Sequence, residues 1–366
     1  MPLHQSLANP NLYLPSDGIL MLLYVDDISM SYPKAAAIAA IEVNAKLSEK
    51  YKIMNIGPVC QFFGIEIHRS GTGVSLGQNA YITAILRRFG MEHTHGVLIP
   101  MDPNTKLDLA EDRGEKELKH ITDYQPVVGS LMYTAHATRP DILYAVTALA
   151  RYNSRPFTSH MTAAKRILQH LKSTADFQLH FTGNGITIAI AIAIAIAIAI
   201  AIAIAIAIAI AIAIAIGITI AIAIAIAIAI AIAIGIGIGI GICIGIDINN
   251  SLVWYLDSDW ANDSEDRKSQ GGHVFLATDG AISWQSRKES LIAMSTLEAE
   301  FIACSEASRE AKWLLQLQKD IHSKDLPPLP ITCDNQGALT LITAGIIKAR
   351  TKHIDVCYHN SRDLHR

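Results

Sequence analysis

The chain has 366 residues, which is enough for two or three domains with hydrophobic cores of their own. Its 30 Lys and Arg residues nearly balance its 33 Asp and Glu residues, so the composition shows no polybasic footprint for a nucleic-acid partner. The five cysteines are scattered and form no Cys-x-x-Cys pair, which argues against a disulfide framework and a structural zinc site. The first residues show no signal peptide. We therefore expect an intracellular protein, in the cytoplasm and/or the nucleus, that is not secreted.

The first strong pattern along the chain is an apolar run followed by two adjacent carboxylates. Residues 19–24 predict a buried strand, and Asp26 and Asp27 follow it closely. Buried carboxylates at a strand turn cost several kcal/mol unless they are paired or coordinated, and a divalent metal ion would supply that compensation. An exposed Asp-Asp turn is the alternative interpretation of the same pair.

Two later segments, 78–89 and 123–173, have the pattern of helices, and Asp141 is a start signal within the second. Four basic residues near the end of that segment give it a basic face: Lys165, Arg166, His170 and Lys172. Such a face either contacts a phosphate backbone or is simply solvated.

Several motifs in the first half resemble, in the same order, the reverse transcriptases of copia-type retrotransposon Pol polyproteins. They are residues 9–13 (NPNLY), 24–27 (YVDD), 62–67 (FFGIEI), 128–133 (VGSLMY) and 138–142 (TRPDI). The resemblance covers nearly all of residues 6–183 and implies a partial palm followed by a helical thumb and connection. It also implies that Asp26 and Asp27 bind the metal ions of phosphoryl transfer, together with an aspartate from an earlier palm strand. Because only 25 residues precede Asp26, we do not expect DNA polymerisation by this chain alone.

A low-complexity tract separates the two halves. From Gly185 to Ile248, isoleucine occupies every even position, and the odd positions are mostly Ala and then Gly. The tract exceeds the roughly 18 apolar residues that indicate a membrane helix, but its period of two is not a helical period. A hexanucleotide repeat would generate such a sequence, so we interpret residues 184–250 as a microsatellite insertion. A membrane or assembly element is the alternative.

Beyond the tract, the pattern predicts a strand, a hairpin and a long helix. Residues 252–256 form an apolar, β-prone run that ends at Asp257, and residues 271–284 follow as a hairpin-like stretch. Ser295 and Glu298 form a capping box, which predicts the start of the helix and places Glu300 in its first turn.

A second strand, at residues 331–333, delivers Asp334 and leads into a further helix. Three carboxylates from separate elements, Asp257, Glu300 and Asp334, can converge on two Mg²⁺ ions, one to activate water and one to stabilise the leaving oxygen. Acidic residues at strand ends and helix starts are also common caps, and Glu298 fits that role.

The surroundings of these carboxylates resemble the RNase H domain of the same copia-type family across residues 252–362. The matching motifs are residues 255–261, 266–269, 282–284, 295–301, 333–336 and 349–355. The resemblance implies that Asp257, Glu300 and Asp334 bind Mg²⁺ or Mn²⁺ in a two-metal site, and that Asp259 and Glu298 are neighbours of it. The family's fourth acidic residue lies on a closing helix that we do not find before Arg366. Asp355 is a candidate substitute.

We therefore expect an α/β chain in three parts. Residues 1–183 would form the partial palm, thumb and connection, residues 184–250 the tract, and residues 251–366 a C-terminally truncated RNase H-like mixed sheet flanked by helices. The expected function is metal-dependent hydrolysis of RNA in RNA·DNA hybrids, in company with other retrotransposon proteins. An inactive remnant or a nucleic-acid-binding module without turnover is one alternative. A membrane protein anchored by the tract is another, although the tract lacks flanking charge asymmetry and interfacial aromatic residues.

Overall fold

The structure is a computed structural model. It describes residues 4–14, 18–24, 27–32, 34–51, 53–70, 73–102, 107, 116–118, 120–182, 252–261, 263, 266–322, 331–332, 335 and 337–340. Within these ranges no helix is both long enough and apolar enough to cross a membrane. The Ala/Ile tract lies outside the described residues, so its predicted origin stays a prediction.

The first sheet contains four antiparallel strands in chain order. They are β1 (His4–Gln5), β2 (Leu12–Leu14), β3 (Leu20–Tyr24) and β4 (Asp27–Ser31). The predicted strand over 19–24 is confirmed as β3, whose residues Leu20, Met21 and Leu22 are buried. A 3₁₀ turn (Lys34–Ala36) then leads into helix α1 (Ala37–Lys50), which packs Ala40 and Val43 against Ile19.

A second antiparallel sheet follows, again in chain order. It contains β5 (Gln61–Phe62), β6 (Ile65–Arg69), β7 (Gly73–Gly77) and the later strand β8 (Leu179–Thr182). In β6 the alternate residues Ile65 and Ile67 are buried, as expected for a strand with one face on the core, whereas in β7 every residue except Ser75 is buried. Helix α2 (Asn79–Arg88) begins directly after β7 and confirms the helix predicted over 78–89.

The segment between β7 and β8 is mostly helical, which confirms the helices predicted over residues 123–173. It contains three helices: α3 (Ile121–Ala137), α4 (Leu143–Ala150) and α5 (Thr158–Ser173). Two prolines explain the interruptions, because proline lacks a backbone N–H and disfavours helical geometry in the residue before it. Pro140 opens a 3₁₀ turn (Pro140–Ile142) before α4, and Pro156 lies just ahead of α5.

The start signal at Asp141 belongs to a partly buried ion-pair network at that first interruption, in which Arg139 is buried and Asp141 is partly exposed. The Arg139 side chain, 2% exposed, donates from Nε and Nη2 to the two carboxylate oxygens of Asp141 at 2.9 and 2.7 Å. Its Nη1 donates to the carbonyl oxygen of Thr174 at 2.8 Å, and His170 Nε2 lies 3.1 Å from Asp141 Oδ2. The network therefore ties the start of α4 to the end of α5.

The residues beyond the tract form a third, mixed sheet with the strand order β11-β10-β9-β12. Strands β9 (Leu252–Asp259), β10 (Gln270–Ala277) and β11 (Gly280–Lys288) are antiparallel, whereas β12 (Ile331–Thr332) pairs in parallel with β9. Helix α6 (Thr296–His322) packs on β9 and β10. Asn335 then caps the helical residues 337–340 by accepting a hydrogen bond from the Ala338 amide at 3.0 Å.

One hydrophobic core is shared by residues from both sides of the tract. It joins Leu12, Ile65 and Phe181 to Trp254, Phe275 and Leu314. Two indole N–H groups also cross between the halves: Trp284 donates to the carbonyl oxygen of Ala135 at 3.0 Å, and Trp313 donates to that of Ala8 at 3.1 Å. The expected α/β class is confirmed at this level, as several antiparallel sheets with helices packed on them.

Candidate acidic site

The alternation of strand β9 sorts its last residues onto two faces. Trp254 and Leu256 are buried beneath α6, whereas Tyr255 and Asp257 are exposed. Successive side chains of a strand point to opposite faces, so Ser258 lies on the same face as Trp254 and Leu256. The strand therefore delivers one exposed carboxylate and, next to it, one hydroxyl group directed towards the helix.

The start of α6 places Glu300 beside that strand end. The Glu298 amide donates to Ser295 Oγ at 3.3 Å, and Glu298 Oε2 accepts from the Met294 amide at 2.7 Å. One of the two hydrogen bonds of the predicted capping box is therefore present, and the Glu298 carboxylate reaches back to the Met294 amide. Glu300, two residues further along, is 6% exposed.

Asp257 and Glu300 meet at one backbone amide. The Ser258 N–H is 2.9 Å from Asp257 Oδ1 and 3.3 Å from Glu300 Oε1. Sharing a donor places the two carboxylates side by side, one exposed and one buried. Carboxylate oxygens are the ligands that Mg²⁺ and Mn²⁺ prefer, so this donor pair fits a divalent cation.

A third carboxylate, that of Glu289, contacts the side chain of Ser258, whose amide joins the pair. Glu289 is only 2% exposed, and its Oε1 accepts a hydrogen bond from Ser258 Oγ at 3.0 Å. Burial raises the pKa of Glu289 to about 7. The hydrogen bonds from Ser258 and Ser269 oppose this rise, and the negative charges of Glu306 and Glu300 add to it.

The loop after β9 is held in place from two directions. The Trp260 indole N–H donates to the carbonyl oxygen of Ala293 at 3.0 Å, which joins the end of β9 to the segment before α6. Asp263 is buried and accepts from Lys288 Nζ at 2.8 Å and Arg151 Nη2 at 2.6 Å. Because Arg151 lies just beyond α4, this contact also anchors the site to the first half of the chain.

The other predicted carboxylates are placed differently. Asp334, Asp355 and Asp26 lie outside the described residues, so their roles stay predictions. Asp259 is exposed at the end of β9. Among the residues that the structure describes, no group of three or more His, Cys, Asp or Glu side chains is arranged to hold a metal ion.

Asp27 belongs to a different part of the molecule. It opens β4 and pairs with Tyr24 across the hairpin of β3 and β4, where it is exposed. Only residues 25 and 26 separate β3 from β4 in the sequence, and both lie outside the described residues. The described part of this hairpin is compatible with both interpretations, the metal site and the exposed turn.

Sequence reasoning missed Ser258 and Glu289. The signal for Ser258 was available, because the two-residue period of β9 places it on the buried face with Trp254 and Leu256. Glu289 follows Arg287 and Lys288 and has the local pattern of an exposed, charged turn. Its burial depends on the non-local pairing of β9, β10 and β11, which no local pattern encodes.

Comparison with known proteins yields a family and several relatives. Residues 5–103 match the family described as reverse transcriptase (RNA-dependent DNA polymerase). The Retrovirus-related Pol polyprotein from transposon TNT 1-94 of Nicotiana tabacum is 30% identical over 94% of this chain and 21% of its own length. The corresponding polyprotein from transposon RE1 of Arabidopsis thaliana is 29% identical over 98% of this chain and 20% of its own length.

A shorter relative is the uncharacterized mitochondrial protein AtMg00810 of Arabidopsis thaliana, which is 23% identical over 80% of this chain and 93% of its own length. The chain therefore spans about a fifth of the length of the two polyproteins. No solved structure matches it.

Proposed function

Because the chain belongs to the Pol polyproteins of copia-type retrotransposons, we propose that its last segment hydrolyses the RNA strand of RNA·DNA hybrids with divalent metal ions. In this proposal residues 1–183 are part of a reverse transcriptase, residues 184–250 an inserted repeat, and residues 251–366 an RNase H-like domain. The observation that carries the proposal is the meeting of Asp257 and Glu300 at the Ser258 amide.

The topology around this pair supports the same function. An antiparallel hairpin, a long helix that starts at the carboxylate end of β9, and a parallel strand beside β9 bring three chain segments to one end of the sheet. Asp334 follows β12 by two residues in the sequence, and we propose it as the third ligand. Metal ions bound there would activate the attacking water and stabilise the leaving oxygen of the RNA backbone.

The protein's own residues would then fix the site and admit the substrate. The Ser258 amide keeps Asp257 and Glu300 in one orientation, and Glu289 holds the Ser258 side chain. Asp257, on the exposed face, would be the ligand closest to the nucleic acid. We propose that the hybrid is recognised through its shape and 2′-hydroxyl groups, and that other retrotransposon proteins act with this chain inside the cell.

The inactive remnant is not favoured, because Asp257 and Glu300 keep an ordered, hydrogen-bonded arrangement. For the reverse transcriptase part, we propose that Asp26 and Asp27 are metal ligands of the polymerase site. The match of residues 5–103 to the reverse transcriptase family supports that role.

The test is cleavage of a labelled RNA strand in an RNA·DNA hybrid by the full chain, with Mg²⁺ or Mn²⁺. We expect cleavage by the wild-type protein and a loss of at least about a hundredfold in Asp257→Asn and Glu300→Gln, because each removes a charged ligand. Asp259→Asn is the matched control, since Asp259 shares the strand and the exposed face but makes no contact with the Ser258 amide. Equal activity in all four proteins would contradict the proposal.

A further inference from the structure

A cavity of about 770 Å³ lies along one face of α5, and none of its described lining residues belongs to the acidic site. On the helix its lining includes Ser159, Thr162, Lys165 and Arg166. The opposite wall comes from the segment after α2 and includes Met91 and Thr94. The helix-side lining runs from Thr158 to Gln169, which is about 16 Å at the rise of an α-helix.

Two polar atoms in this lining have no hydrogen-bond partner. Ser159 Oγ and Arg166 Nε are both shielded from solvent, and neither bonds to any residue that the structure describes. Buried polar groups are almost always satisfied in folded proteins, so orphaned donors in a cavity wall indicate a missing acceptor. Both atoms can donate, which points to a ligand rich in acceptor oxygens.

The positive charges of the lining favour an anionic ligand. Neither Lys165 nor Arg166 forms an ion pair with any described residue, and the α5 N-terminus, with its positive dipole end, lies at one end of the cavity. Asp102 is the one acidic side chain among the described lining residues. The cavity therefore presents a strip of hydroxyl and cationic donors.

The four basic residues expected to form one face of this helix divide into two pairs. The expectation is wrong for His170, which is 4% exposed and faces Arg139 and Asp141. Lys172 donates from Nζ to the carbonyl oxygen of Thr94 at 2.6 Å, so it connects α5 to the segment after α2 that forms the opposite wall of the cavity. Lys165 and Arg166 are left to bind a ligand.

We infer that this cavity binds consecutive phosphate groups of a nucleic-acid strand. The inference rests on the proposed function, because it takes the chain to be a nucleic-acid enzyme. A free anion would need one compact pocket, whereas this lining extends far enough for several phosphates of one strand, which follow each other at about 3.4 Å along the duplex axis. Hydroxyl groups, an arginine, a lysine and a helix N-terminus are the groups that proteins use for such backbone contacts.

The experiment measures the affinity of the full chain for a fluorescent RNA·DNA hybrid by anisotropy, between about 50 and 200 mM salt. Calcium replaces the catalytic metal, so that no substrate is consumed. The test variant is Lys165→Gln with Arg166→Gln. The matched control is Lys46→Gln with Lys50→Gln, which makes the same charge change on the exposed side of α1.

We expect the test variant to bind about tenfold more weakly and to lose between one and two units of the salt slope, because each lost phosphate contact removes about 0.9 units. The control should change neither value appreciably. Inorganic phosphate added at constant ionic strength should fail to displace the hybrid. Displacement of the hybrid by millimolar phosphate would show that the cavity binds a single anion, and it would contradict the binding of a nucleic-acid strand.

Cleavage separates this inference from the proposed function. At limiting hybrid, the test variant should cleave more slowly in proportion to its lost affinity, whereas Asp257→Asn should fail to cleave at every hybrid concentration. If the chain cleaves hybrid but Lys165 and Arg166 do not affect its affinity, the cavity inference alone is overturned. If the chain binds no hybrid under any salt condition, the cavity inference falls with the proposed substrate.

Discussion

Asp257 and Glu300 accept hydrogen bonds from the same backbone N–H group, that of Ser258. Two carboxylates that share a donor repel each other when both are ionised, and a divalent cation removes that repulsion. The arrangement is therefore less stable without metal than with it, which gives a measurement of metal binding that does not depend on catalysis.

We predict that Mg²⁺ stabilises the wild-type protein against thermal unfolding. A ligand at a hundred times its dissociation constant adds about 2.7 kcal/mol to the free energy of unfolding. Asp257→Asn and Glu300→Gln should lose most of this increment. In metal-free buffer, each variant should have a free energy of unfolding about 1 kcal/mol higher than the wild-type protein, because the repulsion between the two carboxylates is gone. Differential scanning calorimetry with Mg²⁺ and with EDTA measures both values, and Asp259→Asn serves as the control. An identical response of Glu300→Gln and wild type to Mg²⁺ would exclude Glu300 as a ligand.

Glu289 should make stability fall as the pH rises. Its pKa in the folded protein is about 7, above the ordinary value of 4.5, so the folded state holds a proton that the unfolded state has released between these values. The free energy of unfolding therefore decreases from about pH 4.5 to 7, by a few kcal/mol, and the loss is complete above that range.

Glu289→Gln should remove this pH dependence and raise stability at pH 8, because the neutral amide keeps the acceptor for Ser258 Oγ. Urea unfolding in EDTA at a series of pH values measures the effect without interference from bound metal. Parallel stability profiles for the variant and the wild-type protein would show that Glu289 titrates normally.

The ion pair of Arg139 and Asp141 should be a major source of stability in the first half of the chain. Burial alone would raise the pKa of Asp141, but hydrogen bonds from His170 and Arg139 and their positive charges outweigh it and hold the pKa well below its ordinary value. This stabilisation is present above about pH 4 and disappears as the pH falls below the ordinary value. Asp141→Asn leaves Arg139 buried without a counter-charge, so we expect a loss of about 3 kcal/mol.

Chemical denaturation at pH 7 measures this loss. The matched control is Glu117→Gln, which breaks the exposed pair between Glu117 and Arg155 and should change stability by less than about 0.5 kcal/mol. If both variants lose the same small amount of stability, the network around Arg139 contributes no more than a surface ion pair.

The junction between β8 and β11 should not tolerate a side chain at Gly280. A Cβ atom there would overlap the ring of Phe181, which belongs to the shared core. We expect Gly280→Ala to destabilise the protein by about 1–3 kcal/mol, because either the ring or the strand must move. Gly129→Ala in α3 is the opposite case, since its Cβ would meet nothing within 4 Å. That variant should gain about 0.5–1 kcal/mol from helix propensity. Thermal unfolding of both variants checks the two signs.

Local patterns predicted much of this fold. The apolar run before Asp26, the capping box at Ser295 and the alternation of β9 each encode structure within a few residues, and the corresponding strands and helix are present. The break of the helical segment at Pro140 was also readable from the sequence, because a proline disfavours helical geometry in the residue before it.

Other features depend on residues that are far apart in the chain. Glu289 approaches Ser258 only because β10 and β11 fold back beside β9, and His170 is drawn inwards only because Arg139 and Asp141 lie across from it. A basic residue at helical spacing has the same local pattern whether it faces solvent or a buried carboxylate. The inward direction of His170 was therefore not predictable from periodicity.

The core shared across the tract affects how this protein emerges from the ribosome. Leu12, Ile65 and Phe181 are made early, but they pack against Trp254 and Leu314, which are made later. At about 5–20 residues per second, the interval from Phe181 to Leu314 is on the order of ten seconds. During that time the nascent chain carries apolar surface whose partners do not yet exist. Chaperone occupancy on the ribosome should therefore rise after β8 is synthesised and fall only when α6 has left the exit tunnel.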